Sequence, residues 1–253
     1  MNRDNNSDDD DSDGREDQSN GYDVIVSKTN KDGLYQPACC QNEVLPKLPF
    51  SALCIGRSGS GKTMACCSLL KNKNLLKDCF DYIFFFTGSK PDKEIIKDLH
   101  LKDDCIKINF TEDDVKEIIE KLEKYIADDG FNSDTPSTLF IFDDILSQVE
   151  FLKSPTMVKL ATSNRHINVT FFILSQYYKK LPPVIRTNAS YIMFFPSNQS
   201  EIEKLADEMT PARMNKKRFI EIVNYATADK HSFLSINNKS EHKLRKNFDI
   251  ILN

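Results

Sequence analysis

The stretch that decides the fold runs from residue 51 to residue 63 and reads SALCIGRSGSGKT. Its first five residues form a short apolar run, and the remaining eight follow the pattern G-x-x-x-x-G-K-[ST] of a phosphate-binding loop. Such a glycine-rich turn points backbone N–H groups at phosphate oxygens, and the following helix adds the positive end of its dipole. The stretch therefore predicts a strand, a phosphate-binding loop and a helix that runs from about residue 61 to residue 75.

All eight loop residues are candidates for nucleotide binding: Gly56, Arg57, Ser58, Gly59, Ser60, Gly61, Lys62 and Thr63. In this pattern the lysine reaches the β- and γ-phosphates, and the hydroxyl of the last residue binds Mg²⁺. We therefore expect ATP and Mg²⁺ as cofactors, with Thr63 among the metal ligands. The pattern also occurs by chance, but much more rarely between an apolar strand and a helix.

A second motif closes another apolar run, which reads TLFIFDD at residues 138–144. Asp143 suits the Walker B role, in which a carboxylate at the end of a strand beside the nucleotide positions Mg²⁺. Asp144 has two interpretations. It either orients or deprotonates the attacking water, or it caps the segment that follows.

Polar and charged residues near the following strand supply the remaining candidates. The run Val169–Leu174 is followed by Ser175 and Gln176, and an amide at the tip of that strand can position water near the γ-phosphate. Arg186 and Arg165 are candidates for the positive charge that many ATPases bring to the transition state. We favour Arg186, although a surface salt bridge is the alternative interpretation for each arginine.

Apolar runs alternate with helical patterns along the chain, which predicts an α/β fold. The runs at 82–86, 138–142, 169–174 and 191–195 are continuously apolar, as is typical of parallel strands covered on both faces. We therefore expect a mostly parallel, doubly wound sheet flanked by helices. A further strand is predicted at 22–26, and helical connections are predicted at about 151–163 and 181–189.

Four segments follow from the distribution of these patterns. Residues 1–20 hold eight acidic residues against two arginines, so we expect a disordered acidic tail. Residues 21–46 are assigned to an N-terminal extension and residues 47–198 to the ATPase core. Residues 199–253 are assigned to a helical and strand extension of the same domain. Basic residues in this last segment have two interpretations, a solvated surface or a contact with a nucleic-acid backbone.

Composition argues against a membrane protein. The chain is 40% hydrophobic and 28% charged, and its longest apolar runs are a handful of residues, whereas a spanning helix needs about 20. Neither a secretory signal nor a membrane span is recognised, so we expect no membrane partner. The seven cysteines include no C-x-x-C pair, and we interpret them as reduced structural thiols.

With these blocks in order, the chain resembles the FtsK–HerA superfamily. Within it, the chain is most similar to the genome-packaging ATPases of poxviruses, other large nucleocytoplasmic DNA viruses and their virophages. The resemblance covers about residues 47–196 and rests on four blocks: Gly56–Thr63, Phe140–Asp144, Asn164–His166 ahead of the strand that ends at Gln176, and Leu181–Asn188. The wider superfamily usually ends its Walker B strand in Asp-Glu, whereas this chain has Asp143-Asp144, as in the viral branch.

The resemblance implies a RecA-like core, in which the strand ending at Gln176 lies between the phosphate-loop strand and the Asp143 strand. It also implies a homo-oligomeric ring that drives double-stranded DNA into a viral capsid. The implied partners are DNA, further copies of the chain and capsid proteins. The implied location is the virion assembly site in the host-cell cytoplasm, or the virion itself.

Other functions remain open from the residues alone. A nucleoside or nucleotide kinase also needs a phosphate-binding loop and an acidic strand end, but it further needs a mobile lid with several arginines, and the arginines here are scattered. An assembly scaffold that binds ATP without hydrolysing it is a third hypothesis. A GTPase is disfavoured because no N-K-x-D motif follows the core.

Overall fold

The computed structural model describes residues 43–91, 93–241 and 243–252. The predicted acidic tail at 1–20 and the predicted strand at 22–26 lie outside the described residues. Within the described part, nine strands form one sheet. They are β1 Ser51–Ile55, β2 Tyr82–Thr87, β3 Ile106–Ile108, β4 Thr138–Asp143, β5 Val169–Ser175, β6 Tyr191–Phe194, β7 Leu234–Asn237, β8 Leu244–Lys246 and β9 Ile250–Ile251.

Helices connect most of these strands. They are α1 Lys62–Lys71, α2 Lys93–Asp98, α3 Glu112–Asp129, α4 Val149–Lys153, α5 Pro155–Ser163, α6 Pro183–Asn188, α7 Gln199–Met209 and α8 Lys216–Ala226. Short 3₁₀ helices span Asp103–Cys105, Ile145–Ser147 and Asn164–Ile167.

The sheet order is β3-β2-β4-β5-β1-β6-β7-β8-β9. The six strands from β3 to β6 in this order are parallel to their neighbours, and β7, β8 and β9 pair antiparallel. The mostly parallel α/β sheet predicted from the sequence is therefore confirmed. The predicted position of the strand that ends beside Gln176 is confirmed as well, because β5 lies between β1 and β4.

Both faces of the sheet are buried, which explains the continuously apolar strands. Alternate residues of the central strands enter different hydrophobic cores, so that Leu53 faces one core and Cys54 the other. In the same way Phe142 packs into the first core and Ile141 into the second. A strand covered on both sides has no polar face, and the period-2 alternation of half-exposed strands is therefore missing from the sequence.

Two helix boundaries differ from the sequence-based expectation. The predicted helix over 151–163 is broken into α4 and α5, because Ser154 caps a new helix with a hydrogen bond from the Met157 N–H and Pro155 occupies its first turn. Helix α1 ends at Lys71 instead of near residue 75. The next residue, Asn72, leaves the helical region and accepts a hydrogen bond from the Asn74 N–H.

The C-terminal extension continues the same sheet. Strand β7 pairs with β6, and β8 and β9 add to its outer side. The basic residues of this segment do not form one solvated surface, because Arg245 is buried in β8 and Lys246 pairs with Asp229 at 2.5 Å. Its exposed basic residues include a group around the start of α8, namely Arg213, Lys216, Lys217 and Arg218.

The structure also bears on two expectations from the composition, which concern membrane-spanning helices and the state of the cysteines. None of the described helices is both long enough and apolar enough to span a bilayer. Cys54, Cys66 and Cys67 are buried free thiols, as expected, whereas Cys79 is disulfide-bonded, so the expectation of thiols alone is wrong for that residue.

Candidate functional site

The predicted nucleotide-binding residues meet at the carboxyl edge of the sheet. Because β1, β4 and β5 are parallel neighbours, the residues that follow each strand lie side by side. A cavity of about 890 Å³ opens there, and its lining includes Lys62, Thr63, Asp143, Asp144 and Gln176. Clefts beyond the carboxyl ends of parallel strands are the usual ligand sites of such sheets. Five residues predicted from separate motifs therefore share one cavity.

The phosphate-binding loop needs glycine at two positions for different reasons. An alanine at residue 56 would place its Cβ only 2.5 Å from the Phe195 Cβ and 2.7 Å from the Ser60 Oγ, so this position needs glycine for close packing. Gly61 has φ 103°, a left-handed conformation that directs the chain into α1. The Gly56 N–H also donates to the Ser175 carbonyl at 3.0 Å, which joins the loop to β5.

Lys62 lies inside the turn of the loop. Its Nζ donates to the carbonyl oxygens of Gly56 at 2.8 Å and Arg57 at 3.0 Å. Burial lowers the pKa of Lys62, and the Asp143 carboxylate opposes that shift. The ammonium group is therefore held at the cavity wall, opposite the acidic end of β4.

Asp143 and Thr63 provide the oxygen atoms that a magnesium site needs. Burial raises the pKa of Asp143, while the charge of Lys62 lowers it. Among the described residues no group of three or more His, Cys, Asp or Glu side chains could hold a metal by itself. Mg²⁺ commonly binds through one or two protein oxygens together with substrate phosphates and water. A hydroxyl and a carboxylate on one cavity fit that kind of site, in which the nucleotide completes the coordination.

The contacts of Asp144 bear on the capping interpretation. It stands before the 3₁₀ helix Ile145–Ser147 with φ 52° and ψ 42°, but its side chain makes no capping hydrogen bond. Its Oδ1 instead accepts a hydrogen bond from the Gln176 Nε2 at 3.4 Å. The capping interpretation is therefore wrong, and the exposed carboxylate faces the cavity beside Gln176.

The structure does not bring Arg186 to this cavity. Its side chain is 6% exposed, and its guanidinium forms an ion pair with Glu208 and donates to the Leu181 carbonyl oxygen. Within one chain these contacts hold the Arg186 guanidinium away from the cavity, and its role in supplying positive charge to a transition state stays a prediction. Arg165 is exposed, in the turn before β5, at the edge of the sheet opposite the phosphate-binding loop.

The cavity also has a second wall that the sequence did not predict. We call residues 230–233 and 247–248 the C-terminal wall. They come from the loop before β7 and the turn after β8, and they include Lys230, His231, Phe233, Asn247 and Phe248. These residues follow neither a motif nor a periodic pattern. They reach the cavity because β7 runs antiparallel to β6 and β8 runs antiparallel to β7, so that the start of β7 and the end of β8 share one edge.

Comparison with known proteins adds evidence at this point. The family model described as "Poxvirus A32 protein" matches residues 39–248. The DNA packaging protein OPG160 of monkeypox virus is 29% identical over 200 residues, which cover 75% of this chain and 62% of that protein. The OPG160 protein of vaccinia virus (strain Copenhagen) is 28% identical over 200 residues, with 68% of its length covered. The chain thus matches only about two thirds of the length of these relatives.

Solved structures with a similar fold include viral and bacterial ATPases. The genome packaging NTPase B204 of Sulfolobus turreted icosahedral virus 2, solved in complex with AMPPCP, superimposes with a TM-score of 0.56 at 15% identity, over 78% of this chain and 96% of B204. ATPases 2 and 3 of EssC from Geobacillus thermodenitrificans give a TM-score of 0.52 at 12% identity, over 81% of this chain and 40% of that chain. These likenesses show the fold of a P-loop ATPase domain.

Proposed function

Because the chain belongs to the poxvirus A32 protein family, we propose that it is an ATP-hydrolysing motor that moves double-stranded DNA into a viral capsid. The single observation that carries the proposal is the shared cavity, in which the phosphate-binding loop faces Asp143, Asp144 and Gln176. Relatives in monkeypox and vaccinia viruses are named DNA packaging proteins, which supports DNA as the substrate that is moved.

Under this proposal, the motif residues that line the cavity have separate parts in hydrolysis. Lys62 neutralises the β- and γ-phosphates, and Thr63 and Asp143 would hold Mg²⁺, which would neutralise phosphate charge when bound. Asp144 accepts the proton of the attacking water, or orients that water, beside the γ-phosphate. Gln176 positions the Asp144 carboxylate, because its amide donates a hydrogen bond to that carboxylate. Since Gln176 lies at the tip of β5, beside β4, it also helps to position the attacking water.

The wider assembly follows from the same proposal. We infer a homo-oligomeric ring around DNA that works with capsid proteins at assembly sites in the host-cell cytoplasm. If a positive charge is supplied between subunits of that ring, Arg165 replaces Arg186 as the candidate, because Arg165 is exposed and Arg186 is buried.

The proposal is tested by measuring ATP hydrolysis by the full chain with and without duplex DNA, and DNA movement by displacement of a third strand from a triplex. We expect duplex DNA to stimulate hydrolysis and Lys62→Ala to abolish both hydrolysis and strand displacement. Lys73→Ala, which changes an exposed lysine just beyond α1, serves as the matched control.

Two other results would replace the motor with another function. Transfer of phosphate from ATP to a nucleoside, with no response to DNA, would identify a kinase. ATP binding without turnover in the presence of DNA would identify a scaffold.

A further inference from the structure

The phosphate-binding loop, Asp143, Asp144 and Gln176 line only one side of the cavity. The C-terminal wall lines the other side. The order of the strands tells which part of a nucleotide would lie there. Strands β5 and β4 flank β1 on one side, and β6, β7 and β8 follow on the other. Asp143, Asp144 and Gln176 all lie on the β5–β4 side.

This arrangement fixes the direction of a bound nucleoside triphosphate. The phosphate-binding loop holds the phosphate chain at the end of β1, and the terminal phosphate points toward the acidic and amide side chains on the β5–β4 side. The base must then extend in the opposite direction, over the ends of β6, β7 and β8. The C-terminal wall lies at that place, since Leu234 of β7 pairs with both Phe194 of β6 and Lys246 of β8.

A row of aromatic rings leads from the loop to this part of the cavity. Phe195 packs against Gly56 and lies 4.8 Å from Phe233, measured between ring centroids. Phe233 is buried and lies 5.1 Å from Phe248 in an edge-to-face contact. Phe248 is only partly buried and lines the cavity, so it is the outermost ring of the row. It offers the kind of aromatic surface on which a base stacks.

The wall is fixed in place by backbone contacts. The Asn247 side-chain oxygen accepts from the Phe233 N–H at 3.1 Å, and the Asn247 N–H donates to the Phe233 carbonyl at 2.9 Å. His231 lies over the loop, with its Nδ1 3.3 Å from the Ser60 carbonyl oxygen. Both His231 and Asn247 have positive φ, 65° and 53°. Residues held in this conformation are often found at ligand sites.

We propose that the C-terminal wall is the nucleobase subsite, with the Phe248 ring as the stacking surface for the base and His231 closing the space between base and phosphates. The ligand class is a nucleoside triphosphate, preferably a purine because of its larger ring area. This inference rests on the proposed function, since it assumes that the cavity binds ATP.

A comparison of ATP with tripolyphosphate, which has no base, distinguishes contacts to the base from contacts to the phosphates. Binding of ATP and of tripolyphosphate, each with Mg²⁺, is measured by calorimetry on the wild-type chain, Phe248→Ala, Phe248→Tyr and the control Ile250→Ala, an exposed residue of the same hairpin. Phe248→Ala should weaken ATP binding about tenfold, as expected for a lost stacking contact. Tripolyphosphate binding should stay within about twofold, and Phe248→Tyr and Ile250→Ala should bind ATP as the wild type does. Unchanged ATP affinity in Phe248→Ala, or an equal loss for both ligands, would overturn the subsite.

A second measurement needs no variant. Light-activated 8-azido-ATP on the wild-type chain should label the tryptic peptides 231–239 or 247–253. Labelling confined to other peptides would exclude the C-terminal wall as the base site. Failure of the proposed function is distinguishable, because it appears as ATP binding without DNA-stimulated hydrolysis, whereas failure of the subsite appears as ATP binding that does not depend on Phe248.

Discussion

Arg186 and Glu208 form a two-point ion pair between α6 and α7. The arginine Nε and Nη2 donate to the two carboxylate oxygens at 2.9 and 2.8 Å. The Tyr178 hydroxyl donates to the same carboxylate at 2.8 Å. Glu201, from the first turn of α7, accepts from the backbone N–H groups of Tyr178 and Lys179 at 2.6 and 3.1 Å. Two glutamates of α7 therefore fix the loop that follows Gln176, and Arg186 holds one of them.

This pair predicts that Arg186→Ala destabilises the fold rather than removing a catalytic charge. We expect a loss of about 1.5–3 kcal/mol, the usual worth of hydrogen bonds to a charged group, because Glu208 is only partly buried and keeps Lys204 and Tyr178 as partners. Urea unfolding followed by circular dichroism measures the loss. Arg165→Ala is the matched control, and an exposed substitution of this kind changes stability by only about 0.5 kcal/mol. If Arg186→Ala were as stable as the wild type but hydrolysed ATP much more slowly, the result would support a catalytic role for Arg186.

The same pair predicts a stability loss in acid. Burial raises the pKa of Glu208, but hydrogen bonds from Arg186, Lys204 and Tyr178 outweigh it and lower the pKa to about 2 from an ordinary value of 4.5. A carboxyl with a lowered folded pKa stabilises the protein above its unfolded pKa. This stabilisation is lost as the pH falls from about 4.5 toward 2.

Urea unfolding between pH 3 and pH 6 measures that loss. Glu208→Gln should be less stable than the wild type near neutral pH and should show a shallower fall in acid. Glu203→Gln, an exposed residue of the same helix, should keep the wild-type slope. A Glu208→Gln profile parallel to the wild type would show that this carboxyl does not govern the acid response.

The contrast between the two halves of the cavity shows what the sequence can predict. Lys62, Asp143 and Gln176 each follow a recognisable apolar strand, and parallel strand order brings their ends together, so local patterns were sufficient. The partner of Arg186 lies 22 residues away in another helix, and no local pattern specifies that pairing. An exposed and a buried arginine therefore had the same appearance in the sequence.

The C-terminal wall was missed for a related reason. The antiparallel pairing of β7 and β8 brings His231 and Phe233, which precede β7, close to Phe248, which follows β8. Strand β8 contains Arg245 and Lys246, and its basic composition favoured a solvated surface over a strand. Burial of Arg245 within the sheet is a tertiary effect that overrides the local preference.

Gly56→Ala should disrupt nucleotide binding through packing alone. The new methyl group would overlap Phe195 and Ser60, as their distances of 2.5 and 2.7 Å from the Cβ position indicate, so the loop must shift. We expect ATP affinity to fall at least about tenfold, or about 1.4 kcal/mol, in calorimetric titrations. Gly88→Ala is the control, because its Cβ would meet the Ser147 Oγ at an ordinary 3.8 Å. Wild-type affinity in Gly56→Ala would show that the loop tolerates the shift.

Asp144 and Gln176 should act as one unit in the hydrolytic step. Asp144→Asn keeps the shape of the side chain but removes its basicity, so kcat should fall about 10²- to 10⁴-fold, with little change in ATP affinity. Gln176→Ala should also lower kcat, because the amide that donates to the Asp144 Oδ1 at 3.4 Å is lost. The double variant should lose less than the product of the two single losses, since residues that act together are not additive. Single-turnover hydrolysis with saturating ATP measures all three. Fully multiplicative losses would show that the two side chains act independently, and an unchanged kcat in Asp144→Asn would exclude this carboxylate as the base.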